Sequence, residues 1–568
     1  MQTIRRLYLY LLSGITLGML SVGLSLLLEV TLSALGLGHG ALASGGSGDR
    51  ERLSIAAALV GVGLPVWAIH WLLVERAMRP ANPHAAAERA SIVRAFYFSV
   101  VLSVLLGFGA AAALALIQDL IRTVLGGPAE FFASNAASSI AVLAVTGAAW
   151  FYHASIRRRD MHAGPLAGAA AWLPRVYLYG ASLVGLGMLL LSIGSLVSFA
   201  AESLIGPPPD FVEPGYQVFQ LAGHLAAILV WGGVWIGHWW YTGRLVADTG
   251  WRGASERPAN LRLAYFVAVI GISAFAVIWF VSRAASAVLV PVLGAADVLG
   301  PVADGDDLLQ AVVASILSAV PWAIAWWLHV RWVRAESVQV DKPDRAATVD
   351  RLDFGVVGLI GLGFGAVGAG WLLGLLIDAA LGGGRTIGDG WRLELAQYLP
   401  WSVLGFVAWA WNWATLQRRH AADSVGEAGS TVRRSYLLIV VASAVVSSLG
   451  SLALVLYRLF GELLGAGLSG NAVSELSTPI GALLVAAAVA IYHGITLRRD
   501  MALRAGPEPE PDAVPSDSPA EAPTPAPSVG ELRRTLVLSA PPEGELDAAV
   551  EALRAHLPQG YRLEELSS

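Results

Sequence analysis

Residues 235 to 244 read Trp235-Ile236-Gly237-His238-Trp239-Trp240-Tyr241-Thr242-Gly243-Arg244. A histidine framed by tryptophans closes an apolar run that begins near residue 218, and an arginine follows six residues later. That order marks the end of a membrane-crossing helix, because Trp collects where hydrocarbon meets headgroups and charge lies just outside. The pattern recurs as Trp67-Ala68-Ile69-His70-Trp71 and as Trp409-Ala410-Trp411-Asn412-Trp413, giving W-x-x-[HN]-W three times. Between these copies stands a second class. Tyr152-His153 is followed by Arg158-Arg159-Asp160-Met161, and Tyr492-His493 by Arg498-Arg499-Asp500-Met501 at identical offsets. His329, with Arg334 and Glu336, is a looser copy.

Outward from these marks, apolar stretches recur along almost the whole chain, and a membrane helix needs about 20 such residues. Twelve are expected, near 7–35, 53–74, 92–121, 136–156, 174–205, 218–241, 262–290, 308–332, 352–381, 393–416, 435–465 and 473–497. The first is too long for the apolar core of a signal peptide, and its Arg-then-Tyr opening recurs in later helices, so it counts as helix 1. Only 14% of the 568 residues are charged, against about 25% in soluble domains. A water-soluble enzyme is therefore excluded, and the expected fold is an all-α polytopic membrane bundle of twelve transmembrane helices.

Other chemistry is excluded by composition. With no Cys there are no disulfides, thiolate metal sites or Cys nucleophiles. Lys342 is the only lysine and lies in a charged loop, which removes an intramembrane Schiff-base lysine. The net charge of −5 carries no nucleic-acid signal, since in a membrane protein the placement of charge is what informs. Taken by side, Arg and Lys before the C-terminal tail divide 26 against 7, with the N-terminal side the richer. The positive-inside rule then places both termini in the cytoplasm of a cell with the protein in its inner membrane.

The two alternating helix classes make the repeating unit four helices, with units expected at 1–165, 170–340 and 345–503. The odd helices open on a weaker signature: Arg5 and Tyr8, Arg94 and Tyr97, Arg262 and Tyr265, Arg351 and Phe354, Arg433 and Tyr436, shortened to Arg175 and Tyr177 in helix 5. Tandem four-helix units with an aromatic-flanked His near the end of the second helix resemble the uncharacterised bacterial membrane domain catalogued as domain of unknown function 5671. The resemblance covers residues 1 to about 503, with Asn412 departing from the usual His, and it implies a fold without an activity. Beyond it, the prolines and carboxylates of 505–530 make an extended linker. Residues 531–568 read as a strand and a short helix, a small cytoplasmic α/β segment too short to form a core alone.

The repeated polar residues are the candidate site: Trp67, His70, Trp71, His153, Trp235, His238, Trp239, His329, Trp409, Asn412, Trp413 and His493. One reading has each imidazole bond a neighbouring Tyr or a main-chain carbonyl and so lock adjacent helices. A redox reading gives His70 with His153, or His238 with His329, to haem as paired axial ligands. A transport reading runs a path along Ser21, Ser103, Ser192, Ser195, Ser447 and Ser448, with no carboxylate at the middle of a span to couple it. No catalytic residue and no metal-spaced cluster is expected. The expectation is a non-enzymatic membrane scaffold or sensor without a cofactor, embedded in lipid, with a protein partner engaged through 531–568 and no nucleic acid; transport of a small solute is the alternative.

Overall fold

The structure is a computed structural model, and it describes residues 2–37, 47–79, 81–127, 129–166, 168–205, 215–295, 305–340, 344–386, 389–465 and 472–505. The expected linker beyond Ala505 and the expected strand and helix of 531–568 lie outside the described residues. The first unit holds α1 (Gln2–Ala34), α2 (Ser47–Ala77), the short α3 (Ala85–Arg89), α4 (Ile92–Val124) and α5 (Ala129–His162). The second holds α6 (Ala169–Ile205), α7 (Tyr216–Ala247), the short α8 (Trp251–Glu256), α9 (Asn260–Val292) and α10 (Gly305–Ser337). The third holds α11 (Arg345–Ala380), α12 (Gly390–Ala422), the short α13 (Ser424–Gly429), α14 (Thr431–Leu463) and α15 (Ala472–Ala505).

Each expected apolar stretch corresponds to one long helix. Eleven of these are long and apolar enough to cross a membrane among the described residues. The long helix outside that set is α12, whose five tryptophans, with Gln397, Tyr398 and Asn412, lower its mean hydropathy. All-helical structure is what hydrocarbon demands, since only there does each segment satisfy its own backbone hydrogen bonds. The helices outrun the apolar stretches; α2, for example, starts at Ser47 and carries Arg50, Glu51 and Arg52 in its first turns. The short helices α3, α8 and α13 were not foreseen in the sequence, because pieces of five or six residues carry no apolar periodicity.

Glycine stops the first helix of most hairpins. Gly36, Gly126, Gly294, Gly382 and Gly465 stand two residues past α1, α4, α9, α11 and α14 with φ between 65° and 88°. The left-handed residue lets the next amide turn back on the helix, as Gly127 does to the Arg122 carbonyl at 2.9 Å.

Six antiparallel hairpins result: α1/α2, α4/α5, α6/α7, α9/α10, α11/α12 and α14/α15. Within each unit the first helix also packs on the fourth, α1 on α5, α6 on α10 and α11 on α15. Between units, α4 lies against α6 and α7, and α9 against α11 and α12. Glycines let α11 approach two neighbours closely. A Cβ on Gly361 would stand 2.7 Å from the Trp409 amide of α12, and one on Gly374 would stand 2.7 Å from the Thr478 Cα of α15. The largest apolar clusters gather around Tyr97 and Trp71, Tyr265 and Phe266, and Tyr436 and Trp413, all toward the arginine-rich end of the helices.

Candidate functional site

Each histidine of the series bonds its own helix first. Nδ1 lies 2.7 Å from the Val66 carbonyl in His70, 2.8 Å from Ala149 in His153 and 2.8 Å from Val234 in His238. It lies 2.7 Å from Ala325 in His329 and 3.0 Å from Val489 in His493. A carbonyl oxygen only accepts, so Nδ1 carries a proton and Nε2 is the nitrogen left to face a neighbour. The other helix of the hairpin supplies a tyrosine hydroxyl to donate. Tyr97 meets His153 at 3.2 Å, Tyr177 meets His238 at 3.0 Å, Tyr265 meets His329 at 3.2 Å, and Tyr8 meets His70 at a longer 3.4 Å. Axial ligation of a haem iron through Nε2 would displace that tyrosine in each case.

The fifth and sixth hairpins depart from this pattern. Asn412 donates its amide to the Ala408 carbonyl at 2.8 Å, repeating the bond that Nδ1 makes elsewhere. In the sixth, no hydrogen bond joins the Tyr436 hydroxyl to the His493 Nε2, which is buried without a partner.

Tryptophans extend the pairs. Trp150 donates to the Tyr177 hydroxyl at 2.9 Å and Trp235 to Tyr265 at 3.3 Å, so indole, phenol and imidazole form a chain ending on a main-chain carbonyl. Trp71 donates to Tyr152 at 2.7 Å and Trp413 to Tyr492 at 2.8 Å. Trp239 stacks on Tyr265 at 5.1 Å, Trp413 on Tyr436 at 5.3 Å, and Trp67 on Trp71 at 6.1 Å, while the Trp409 ring stands 6.0 Å from His493. Trp71 and Trp413 are therefore core residues, 3% and 4% exposed, where an interfacial belt would leave them facing lipid.

Beneath this layer lies an ionic one. Arg94 bonds Asp160 at 2.8 Å, Arg262 bonds Glu336 at 2.7 Å and Arg433 bonds Asp500 at 2.6 Å, linking the third and fourth long helices of each unit. Each carboxylate follows the His of its helix by seven residues. The first helix of each unit bonds a short connector instead: Arg6 to Glu88 at 2.7 Å, Arg175 to Glu256 at 2.8 Å and Arg351 to Glu427 at 2.9 Å. In two units a tyrosine joins the layers. Tyr10 donates to Glu88 at 3.3 Å and accepts from Arg94 at 2.9 Å; Tyr179 donates to Glu256 at 2.6 Å and accepts from Arg262 at 3.2 Å.

The pairings correct the reading of the odd helices. Arg6, not Arg5, is the bonded arginine of α1, so Arg6, Tyr8 and Tyr10 match Arg175, Tyr177 and Tyr179 at equal spacing. The third unit then carries Arg351, Asp353 and Gly355 at these places. Asp353 accepts from Arg334 at 2.8 Å, and it is this carboxylate, rather than a tyrosine, that shares the hairpin with Asn412. A signal for the connector glutamates was present but unread: Glu88, Glu256 and Glu427 each precede Arg94, Arg262 and Arg433 by six residues.

Of the six helix-internal serines, Ser192 alone is buried, and its hydroxyl bonds the Met188 carbonyl at 2.6 Å. Ser103 and Ser448 also bond their own helices, at 2.8 Å each. Among the described residues no group of three or more His, Asp or Glu is placed to hold a metal ion.

Comparison with known proteins adds one result. A family model described as Domain of unknown function (DUF5671) matches residues 6–149, 175–324 and 351–488. The three segments begin on Arg6, Arg175 and Arg351, the arginines that bond the connector glutamates. No curated protein and no solved structure matches. The three matches together span more than half of the chain, which belongs to the DUF5671 family.

Proposed function

We propose that the chain is a non-enzymatic scaffold of the bacterial inner membrane, crossing it twelve times with both termini in the cytoplasm, and that a protein partner engages residues 531–568. The observation that carries the reading is that most of the repeated polar groups are spent on one another. His153, His238 and His329 use both ring nitrogens within the bundle, and the buried arginines Arg94, Arg262 and Arg433 each hold a carboxylate. Groups arranged for turnover or for passage of a solute keep a free lone pair, proton or charge facing a cavity. Here they join adjacent helices where an unpaired polar group is costly.

Assigning α12 as the twelfth span rests on its packing. Gly405 sits against Gly361 and Gly365 of α11, so the two helices run side by side through the same layer. A solute path has less support, because three of the six helix-internal serines, Ser103, Ser192 and Ser448, bond their own backbones.

The test is a His153→Ala, His329→Ala double variant, purified in mild detergent and melted beside the natural chain. The locking role predicts a clear loss of thermal stability; an unchanged melting temperature would overturn it. Removal of residues 506–568 is expected to leave the melting of the bundle unaltered while abolishing capture of the partner.

A further inference from the structure

Arg157 has no counterpart in the other units. It follows His153 by four residues, and the same place holds Val333 in the second unit and Leu497 in the third, both in apolar clusters. Arg157 is only 5% exposed, yet its guanidinium makes one hydrogen bond, from Nη2 to the Ala170 carbonyl at 3.2 Å. Nε and Nη1 are buried without a partner. The carboxylates nearby are already engaged, Asp160 by Arg94 and Glu256 by Arg175 and Tyr179. A buried guanidinium with idle N–H groups is costly, and two sister units avoid that cost with an aliphatic residue.

The guanidinium stands where two cavities share a wall made of Arg157, Met161, Pro174 and Leu178. The smaller, of about 160 Å3, has a mixed lining in which Leu166 and Trp251 stand beside the polar Arg175, Arg252, Ser255 and Glu256, the last already held by Arg175 and Tyr179. The larger, of about 620 Å3, runs between α4, α5, α6 and α7 and is walled chiefly by Leu, Ala, Gly and Val. Along α4 its wall extends from Phe98 to Ile117, about 28 Å at 1.5 Å per residue. Small residues open it. Gly109, Ala113 and Gly233 line it where the corresponding places, counted from the paired Tyr, His or Asn, hold Val277, Val281 and Val407.

We propose that this junction binds an anionic amphiphile, with a phosphate or carboxylate head accepted by the Nε and Nη1 of Arg157 and a single alkyl chain in the apolar chamber. The smaller cavity, with Arg175, Arg252 and Ser255 in its wall, receives the rest of the head. The volume suits one ligand of that size, and the charge sits at one end of an elongated apolar space, as an amphiphile requires. The inference stands independently of the scaffold reading.

The experiment is a melting titration of the full chain, purified in a neutral detergent, with lysophosphatidylglycerol, lysophosphatidylcholine or inorganic phosphate. The expected result is a saturable rise in melting temperature with lysophosphatidylglycerol and none with the other two. Arg157→Leu, the third unit's residue, weakens that response roughly tenfold or more, the equivalent of losing a charge-assisted hydrogen bond. Without lipid the same variant melts at or above the natural chain. A Cβ on Gly233 meets nothing within 4 Å, so Gly233→Leu fills the chamber without moving the backbone and abolishes the response.

Four results would overturn the proposal. Equal responses to both lysolipids would mean a groove that ignores charge, and an equal response to phosphate would mean a free-anion site. An undiminished response in either variant, or a lipid-free Arg157→Leu that melts below the natural chain, would remove the role given to Arg157 and the chamber.

Discussion

The Arg94 Nε lies 2.8 Å from the Asp160 Oδ2, with the guanidinium side chain 0% exposed and the carboxylate 1%. The same guanidinium donates to the Tyr10 hydroxyl and stands 5.0 Å over the Phe98 ring. Breaking this pair from one side leaves a buried charge. Asp160→Ala is expected to destabilise the bundle by about 3–5 kcal/mol, whereas Arg94→Leu with Asp160→Leu recovers most of the loss. Thermal unfolding in detergent reads both; a double variant no better than the single one would mean that the ions act separately.

The tyrosines separate by unit. Tyr265→Phe takes the donor from His329 Nε2, leaving a buried acceptor empty at a cost of about 1–3 kcal/mol. Tyr436→Phe removes a hydroxyl that makes no bond to His493 and is expected to cost less than Tyr265→Phe. Equal losses in the two variants would show that packing of the phenol ring, not its bond, sets the effect.

Glycines of α11 separate by direction. A Cβ at Gly365 meets the Phe406 ring at 2.8 Å and the Phe406 amide at 3.0 Å, while one at Gly363 meets nothing within 4 Å. Gly365→Ala should therefore destabilise by about 1–3 kcal/mol through overpacking. Gly363→Ala should be neutral or stabilise by up to about 1 kcal/mol through helix entropy. The pair is measured by denaturation in mixed micelles.

Because the sequence has no Cys, single cysteines map the topology without background. Cys at Leu125, Leu381 or Leu464, all exposed past the glycine-stopped helix ends, is expected to react with an impermeant maleimide in intact cells. Cys at Val338 or Met501, exposed at the arginine-rich end, should react only after lysis. If α12 does not cross the membrane, Leu464 and Leu381 will report opposite sides.

Helix existence and repetition were legible because apolar length and the W-x-x-[HN]-W spacing are local properties of the chain. The histidine–tyrosine pairs were half legible: a hydrogen-bonding role could be read, but the choice of partner depends on which helices face each other. Arg6 against Arg5 shows the limit, since adjacent residues on a helix point about 100° apart and only the packed neighbour decides which one is used. The connector glutamates were hidden for another reason. Their helices are too short to carry a periodic signal, so their meaning lies in long-range ion pairs with Arg6, Arg175 and Arg351. Arg157 looked like one more charge of the fringe, because burial cannot be read from a run of three arginines.

The placement of Glu88, Glu256 and Glu427 on connectors has a consequence for how such a chain can be rearranged. Each bonds the arginine that opens its own unit and precedes by six residues the arginine that opens the next hairpin. A graft of four helices therefore carries both ends of its connector Arg–Glu tie with it. A graft of two helices severs an Arg–Glu tie on one side and strands a carboxylate on the other. The four-helix block, the unit the chain holds three times, is therefore the piece that can be duplicated, deleted or exchanged with its connector Arg–Glu ties whole, while a cut between the second and third blocks still parts Arg334 from Asp350 and Asp353.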